Sequence, residues 1–323
     1  MDDARRLWTL AEPFHAVVYF TPELPSAFEA IGLRGFWRGY FAGRAAPLGS
    51  VGPGVVTACF FGFHPDFVAR AIPSIWSIAT PQRALDARLV GVDSALRRLV
   101  DVERRRSELV EAAALIRAGL EACDPAGRPL FGANAELEWP SDPHLALWHA
   151  TTLLREHRGD GHVAALTVAG IDPCEAHLTQ IAASGAPLET IQPYRGWSDQ
   201  NWRDATSRLR DRGWFDDAGQ LTASGRSVRD DVERDTDRRA AEVVGRFDRD
   251  ELVRLLDLLA GLVTPLVESA TIPYPNPIGV PRPPRLGRDA AVYPPADGAD
   301  REETIVGGAQ PGLGTDPSGD SRH

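Results

Sequence analysis

Four residues in one short stretch carry the ligand atoms that first-row transition metals prefer. They are His149, His157, Asp160 and His162. Neutral imidazole nitrogens and a carboxylate oxygen bind Zn²⁺ and related ions. The glycines at 159 and 161 predict a turn between two helices, which would gather these side chains into a metal or acid–base site. Asp160 is equally well placed to cap a helix that begins near His162, so a structural role stays open.

A second group lies near the start of the chain. Trp8, Glu12, His15 and Tyr19 recur at spacings of four, three and four and therefore share one face of a helix. A Glu-x-x-His pair is half of the motif of di-metal helical bundles, which needs a second such pair and two further carboxylates. The sequence has no second pair. We therefore expect a buried His15 that is hydrogen-bonded to Glu12 or Tyr19.

Arginines alternate with aromatic residues over 34–44. Arg34, Arg38 and Arg44 can hold an anionic or aromatic small molecule by charge and stacking. The same residue types also pack as arginine stems on aromatic rings at the edge of a core. If an effector binds, we expect it near Glu12, His15, Tyr19, Arg38, Tyr40 and His64.

Composition excludes several enzyme classes. The 323 residues carry a formal net charge of -10 and include no lysine. Lysine-dependent chemistry is therefore excluded, including Walker-A phosphate binding and Schiff-base catalysis. No Gly-x-Ser-x-Gly elbow and no glycine-rich loop after a strand is found, which disfavours hydrolases and nucleotide-binding proteins. The sequence assigns no cofactor.

The cysteines and the N-terminus indicate a cytoplasmic protein. Cys59, Cys123 and Cys174 are far apart and form no Cys-x-x-Cys pair. The first residues lack the apolar core of a signal peptide. The longest apolar stretches are shorter than the roughly 20 residues of a membrane span, so no membrane partner is expected.

Helical periodicity dominates the chain, and the expected fold class is mainly α. Thr80 and Pro81 open a long helix that is expected to continue to Leu120. The irregular stretch 124–143 is the best domain boundary, which gives an N-terminal helical domain over 1–130 and a second domain over 140–270. Residues 271–323 are rich in proline and poor in large apolar groups, so this tail is expected to be disordered.

The segment 197–225 has the most specific local pattern. Ser198 can cap a helix, with Trp197 and Trp202 placed as a hydrophobic staple. Gly213 ends that helix, and 214–222 predicts a short β-hairpin before the next helix starts.

This order of elements resembles the second half of a winged helix-turn-helix of the multiple-antibiotic-resistance-regulator (MarR) type, including the helix start Leu221-Thr222-Ala223-Ser224-Gly225. The resemblance implies a winged-helix-like domain, α with a small β-hairpin, whose first helix is the recognition helix and whose hairpin is the wing. The whole chain, over residues 4–265, also resembles an actinobacterial family of unassigned function labelled helix-turn-helix or SalK-like. The matching stretches are 12–15, 34–49, 60–76 and 148–166.

On the expected recognition helix, one polar face could meet a DNA major groove. It consists of Gln200, Arg203, Ser207 and Arg210. From residue 195 to 239, however, ten arginines are balanced by ten acidic residues. The expected wing also carries Asp216 and Asp217, where DNA-binding wings carry basic groups. Because phosphate neutralisation supplies most non-specific affinity, weak DNA binding is expected unless a dimer doubles the contacts.

Three functional hypotheses follow. The first is a transcriptional-regulator-like homodimer with DNA and a small-molecule effector as partners. The second is a small-molecule enzyme or metal-binding protein that uses His15 and His64, or His149, His157 and His162, with the winged helix as scaffold. The third is an assembly partner without chemistry, because a fold does not imply its usual function.

Overall fold

A computed structural model of the chain describes residues 2–284. This part forms thirteen α-helices, joined by turns and four short 3₁₀ helices, and the mainly α fold class is confirmed. None of these helices is both long and apolar enough to cross a bilayer. The helices are α1 (Asp3–Phe20), α2 (Glu23–Ala30), α3 (Phe36–Ala45), α4 (Pro53–Phe60), α5 (Pro65–Ala69), α6 (Pro81–Leu99), α7 (Arg106–Leu120), α8 (Pro129–Ala135), α9 (Pro143–Val168), α10 (Pro173–Ser184), α11 (Asp199–Asp211), α12 (Ala223–Val244) and α13 (Arg249–Glu268).

Side-chain caps define several helix starts. The Thr80 side chain accepts from the backbone N–H of Arg83 at the start of α6. Asp172 and Ser198 form capping boxes at the starts of α10 and α11, and Thr222 caps α12. The caps expected at Thr80 and Ser198 are therefore present, and Thr222 caps the helix that was expected to start there. Their side-chain oxygens satisfy N–H groups that have no partner within the helix.

The prediction of a single helix over 81–120 is wrong. Val100 adopts an extended conformation that ends α6, and α7 begins only at Arg106. The Asp101 side chain accepts from the N–H of Arg104 and so stabilises the turn between them. The apolar spacing alone does not reveal this break, since both helices bury the same kind of stripe.

The β-hairpin expected over 214–222 is not formed as two strands in the described residues. One isolated antiparallel bridge joins Phe215 to Leu221. Asp216 donates its backbone N–H to Gln220 O at 2.9 Å within this loop. This bond and the 2.9 Å bond from the Thr222 N–H to the Trp214 carbonyl make up the bridge, and the pairing ends there because Thr222 caps α12.

The largest core includes buried residues on both sides of 124–143. Its members run from Leu7 to Leu153 and resume from Val243 to Leu266, so α12 and α13 contribute to the same core as α1 and α9. The described residues, 2–284, all belong to one compact unit. The division into two domains, over 1–130 and 140–270, therefore stays a prediction. In the folded chain, apolar side chains from both ranges share one core.

Helix α9 is continuous where a turn was expected at 157–162. Gly161 lies against α12, and a Cβ there would stand 3.4 Å from Arg239 Cβ and 3.0 Å from an Arg128 guanidinium nitrogen. This glycine therefore serves close packing rather than a turn. Because α9 is continuous, its histidine side chains point in different directions around the helix axis and are not gathered by a turn.

Residues 172–222, the α10–α11 unit, enclose a smaller core of their own. It contains Trp202, Leu209, Phe215 and Leu221, with Cys174 and Leu178 from α10. Residues 185–198, which include two 3₁₀ turns, join the two helices. This connection is longer than the three or four residues of a minimal helix-turn-helix.

The first part of the expected tail is ordered against α1. Ile272 and Val280 are buried with Ala16, and Asn276 donates to the Pro273 and Val280 carbonyls. We call residues 271–284 the strap. The expectation of disorder is wrong for the strap because its few apolar residues find a partner surface; residues 285–323 lie outside the described part of the chain.

Candidate functional site

Helix α11 presents the four residues expected to contact DNA on its exposed side. Gln200, Arg203, Ser207 and Arg210 are all exposed, whereas Trp202, Ala205 and Leu209 are buried beneath them. Two polar contacts on this surface lie within the helix. Arg203 Nη2 donates to Gln200 Oε1 at 2.8 Å, and Gln200 Nε2 donates to Asp204 Oδ1 at 2.7 Å.

Arg210 already has a structural role. Its guanidinium donates to the backbone carbonyls of Asp216 and Asp217 at 3.2 and 2.9 Å, and so fixes the loop that follows α11. The two aspartate side chains of this loop are exposed. Of the two expected arginines, Arg203 is therefore freer to reach a ligand.

Arg208 and Arg212 hold the α10–α11 unit together. Arg208 Nε donates to Glu175 at 3.0 Å, and Arg212 lies 3.3 Å from the other oxygen of the same carboxylate. The Glu175 side chain is 0% exposed. These two arginines compensate a buried charge and are not spare cations for a phosphate backbone.

The four residues expected to bind a metal do not converge. His149 packs edge-on against Trp139, and His162 Nδ1 lies 2.9 Å from Thr236 Oγ1. Asp160 accepts the backbone N–H of Phe131 at 2.9 Å and so satisfies the first turn of α8. Asp160 does act as a helix cap, but for a helix distant in sequence. The expectation of one cluster fails because α9 passes through this region without a turn.

His157 instead meets two residues that the sequence analysis did not select. Ligand atoms of Cys123, His157 and Glu242 all lie within 4.8 Å of one another, with His157 Nε2 3.4 Å from Glu242 Oε2. His157 is 1% exposed, and its Nε2 has no hydrogen-bond partner among the residues that the structure describes. Burial, followed by the charge of Arg128, lowers the pKa of His157 to about 4, which keeps the imidazole neutral. A neutral imidazole is the form that binds metal.

Three of the residues expected to bind an effector surround a small cavity. His15, Tyr19 and Tyr40 line a space of about 30 Å³. His15 contacts Thr152 Oγ1 at 2.9 Å and Tyr19 OH at 3.1 Å. Burial lowers the pKa of His15 well below its usual value. This space is comparable to one or two water molecules, so these residues form a hydrogen-bonded core.

Glu12 does not pair with His15. It accepts from Trp8 Nε1 at 3.2 Å, and Arg155 Nε lies 3.2 Å from its other oxygen. Burial is the main reason that the pKa of Glu12 is raised. The two residues of the Glu-x-x-His pair therefore make separate contacts, Glu12 with Trp8 and Arg155, and His15 with Thr152 and Tyr19.

Arg38 and His64 lie away from this cavity. Arg38 is exposed on α3. His64 Nδ1 accepts the N–H of Asp66 at the start of α5, and its ring packs edge-on against Trp197. The six expected effector residues therefore do not form one site.

A larger cavity of about 200 Å³ adjoins the small one, and Tyr40 and Arg44 line both. We call it the arginine cavity. Its walls come from α3, α4, α9, α10, α12 and the strap. Four arginines line it: Arg44, Arg155, Arg195 and Arg229. Aromatic side chains and two histidines complete much of the wall: Tyr40, Phe60, Phe61, Phe63, His162 and His177.

Both histidines of the arginine cavity are held neutral. Burial lowers the pKa of His162 to about 4 and that of His177 to about 3, with neighbouring arginines adding to each shift. The positive charge of this cavity therefore comes from its guanidinium groups alone.

One carbonyl links the cavity wall to both helices of the α10–α11 unit. His177 Nε2, on α10, donates to Gly62 O at 2.8 Å, and Trp197 Nε1, just before α11, donates to the same oxygen at 3.0 Å. His64 N also donates to Arg195 O at 2.9 Å. A Cβ at Gly62 would stand 2.8 Å from the His177 ring, so glycine permits this approach.

Of the four arginines of the arginine cavity, only Arg44 belongs to a recognisable sequence pattern, whereas Arg155, Arg195 and Arg229 do not. These three share no motif, because they belong to α9, to the end of a 3₁₀ turn and to α12. Arg195 is distinguished by being buried with no carboxylate partner among residues 2–284, and only the folded chain shows this.

Comparison with known proteins identifies one family. A family model described as a helix-turn-helix family matches residues 4–273. No curated protein and no solved structure matches the chain. The narrower resemblances, to winged helices and to the SalK-like proteins, stay predictions. Since the match covers nearly all of the described residues, the chain belongs to this helix-turn-helix family.

Proposed function

We propose that the protein is a DNA-binding, transcriptional-regulator-like protein that places α11 in the major groove. The observation that carries this proposal is the exposed polar face of α11 in a chain that belongs to a helix-turn-helix family. Arg203 and Gln200 are the residues we assign to base edges, because arginine pairs with guanine and glutamine with adenine. Ser207 would support them from the next turn.

The loop 214–222 takes the place of a wing in this proposal. The Arg210 contacts fix its shape. Its exposed Asp216 and Asp217 would repel phosphates, which predicts low non-specific affinity. A homodimer would provide two copies of α11 and so raise the affinity for a two-part site. A cytoplasmic location goes with this function.

The proposal is tested by fluorescence anisotropy on residues 1–284 with labelled DNA from the promoter region of the protein's own gene. We expect binding that weakens as salt rises and that exceeds binding to a scrambled duplex of the same composition. Absence of binding at low salt would contradict the proposal. Equal binding to both duplexes would remove sequence readout by α11.

Metal binding is a second candidate, and the Cys123, His157 and Glu242 cluster favours it. Thiolate, imidazole and carboxylate form a donor set that suits Zn²⁺, with a fourth position left for water. Burial raises the pKa of the Cys123 thiol to about 11, so a metal must displace its proton and affinity should fall at low pH.

This second candidate is tested by titrating Zn²⁺ into the protein in competition with a chromophoric chelator. We expect the Cys123→Ser variant to bind Zn²⁺ at least tenfold more weakly. Cys174→Ser is the matched control, because Cys174 is a buried thiol in the α10–α11 core. Equal affinity of the wild type and Cys123→Ser would contradict a site at this cluster.

A further inference from the structure

The arginine cavity contains one buried cation, Arg195, that pairs with no carboxylate in the part of the chain that the structure describes. Arg195 is 8% exposed, and its guanidinium donates to the backbone carbonyls of Tyr194 and Pro277. Burial, opposed by Tyr40 and reinforced by Arg44 and Arg155, lowers the pKa of Arg195 to about 10. Burying an ion without a counter-ion is costly, and a bound anion would remove that cost.

The other three arginines are paired, but with carboxylates that do not line the cavity. Arg44 contacts Glu156, Arg155 contacts Glu12, and Arg229 contacts Glu233. None of these glutamates, nor any other acidic residue, is among the described residues that line the cavity. The cavity is therefore faced by guanidinium groups, with their counter-charges set behind them.

The apolar part of the wall indicates the shape of the ligand. Arg195 lies over the Phe63 ring at 4.9 Å, and Arg44 lies over the Phe60 ring at 4.2 Å. Planar guanidinium groups hold carboxylates by paired hydrogen bonds, and aromatic walls favour flat apolar bodies.

We propose that the arginine cavity binds a small organic anion, a carboxylate attached to a flat apolar group. The carboxylate pairs with Arg195, and the apolar body packs against Phe60, Phe61 and Phe63. Arg44, Arg155 and Arg229 add long-range attraction. Binding itself does not depend on DNA; only the role of this ligand as an effector rests on the proposed function.

The cavity is tested by isothermal titration calorimetry of the full chain without DNA. The probes are benzoate, phenylacetate and hexanoate, and benzamide serves as the uncharged counterpart of benzoate. We expect at least one aromatic carboxylate to bind, with benzamide at least tenfold weaker than benzoate if benzoate is that ligand. Failure of all three carboxylates, or equal binding of benzoate and benzamide, would overturn the proposal.

Two variants at Gly159 locate the site without removing any charge. Gly159 lines the cavity on α9, and the nearest atom to a Cβ there is Glu156 Oε2 at 3.7 Å. We expect Gly159→Leu to fill the cavity and abolish binding, and Gly159→Ala to keep it. Binding that survives in Gly159→Leu would place the ligand elsewhere and overturn the proposal.

Substitution of Arg195 tests the charge directly. We expect Arg195→Gln to lose at least tenfold in affinity, with Arg195→Lys recovering part of it. The matched control is Arg38→Gln, an exposed arginine outside the cavity. Because Arg195 also contacts the strap, the Tm of each variant is measured alongside. Unchanged affinity in a folded Arg195→Gln would overturn the assignment.

The effector role is separated from binding by repeating the DNA titration with the bound carboxylate present. A change of at least threefold in DNA affinity, abolished by Gly159→Leu, would show coupling. Carboxylate binding without DNA binding would leave the cavity assignment intact and contradict only the proposed function.

Discussion

Arg44 on α3 and Glu156 on α9 form a doubly hydrogen-bonded ion pair in the core. Arg44 Nε donates to Glu156 Oε1 at 3.2 Å, and Nη2 donates to Oε2 at 3.1 Å. The Glu156 side chain is 2% exposed. Although burial acts to raise it, the charges of Arg44 and Arg155 hold the pKa of Glu156 below its usual value. This pair lies where the small cavity and the arginine cavity meet.

Replacing Glu156 with glutamine should destabilise the fold by about 3 to 5 kcal/mol, because it leaves the Arg44 charge buried without a partner. Urea unfolding measures this change. The control is Glu111→Gln, which removes an exposed pair with Arg254 and should have little effect. Comparable losses in the two variants would show that burial does not strengthen the Arg44–Glu156 pair.

Stability should fall as the pH is lowered from 7 to 5. Burial, as the main cause, lowers the folded pKa of five histidines below their ordinary value of about 6.5: His15, His149, His157, His162 and His177. The unfolded chain therefore takes up protons near pH 6.5, whereas the folded chain takes them up only at lower pH, near pH 4 for His149, His157 and His162 and near pH 3 for His177. The stability present above pH 6.5 is lost in this window, at roughly 1.4 kcal/mol per pH unit for each histidine.

His149→Gln provides the check on this pH dependence. His149 has a folded pKa of about 4 and should account for one proton, so the variant should show a shallower dependence of unfolding free energy on pH. Urea unfolding at several pH values gives both slopes. Identical slopes would mean that His149 is not held neutral in the fold.

Arg203→Ala should weaken binding to a specific DNA by about 1 to 3 kcal/mol, because this residue is assigned to a base edge. Binding to a scrambled duplex should change less. Arg38→Ala, which removes an exposed arginine from α3, should leave both affinities unchanged. Anisotropy titrations on both duplexes test this prediction. Equal losses of affinity on both duplexes would indicate that Arg203 contacts only the phosphate backbone.

Gly225→Ala should destabilise the protein by about 1 to 3 kcal/mol, since overpacking strains a close contact. A Cβ at Gly225 would stand 2.2 Å from the Trp214 carbonyl oxygen, where α12 meets the loop after α11. Gly245→Ala is the control, because its nearest contact would be 3.5 Å. Equal Tm values for the two variants would contradict the close approach at Gly225.

A chain that ends after residue 270 should be less stable than one that ends after 284. The shorter chain loses the buried Ile272 and Val280, and each such side chain contributes about 1.5 to 3 kcal/mol. It also loses the Pro277 carbonyl that accepts from Arg195. Thermal unfolding of the two chains compares them directly, and equal Tm values would show that the strap adds no stability.

Local signals in the sequence predict much of the secondary structure. The Ser198 cap, the buried face of Trp202 and Leu209, and the Gly213 stop are found where their residue types indicate, because each depends on atoms a few positions apart. The exposure of Arg203 follows from the same periodicity. Gly159 and Gly161 led to the wrong prediction of a turn. The sequence alone does not distinguish a glycine that permits close helix packing from one that forms a turn.

The candidate sites depend on contacts between distant residues, and these leave little trace in the sequence. Cys123, just after α7, and Glu242, on α12, reach His157 from more than 30 positions away on either side. Arg195 has no carboxylate partner within the described range, and no local sequence pattern encodes this property. The strap differs from the rest of a proline-rich tail by Ile272 and Val280, whose effect depends on the surface of α1 that receives them.

The two hydrogen bonds that Gly62 O accepts, from His177 and Trp197, have a geometric consequence. Since one backbone atom holds both α10 and the start of α11, a displacement of residues 60–64 carries the two helices together and does not bend one against the other. A ligand that moves this segment would therefore leave the reading face of α11 unchanged. In a two-fold dimer, it would alter the distance between the two copies of α11, which must match the roughly 34 Å of one DNA turn.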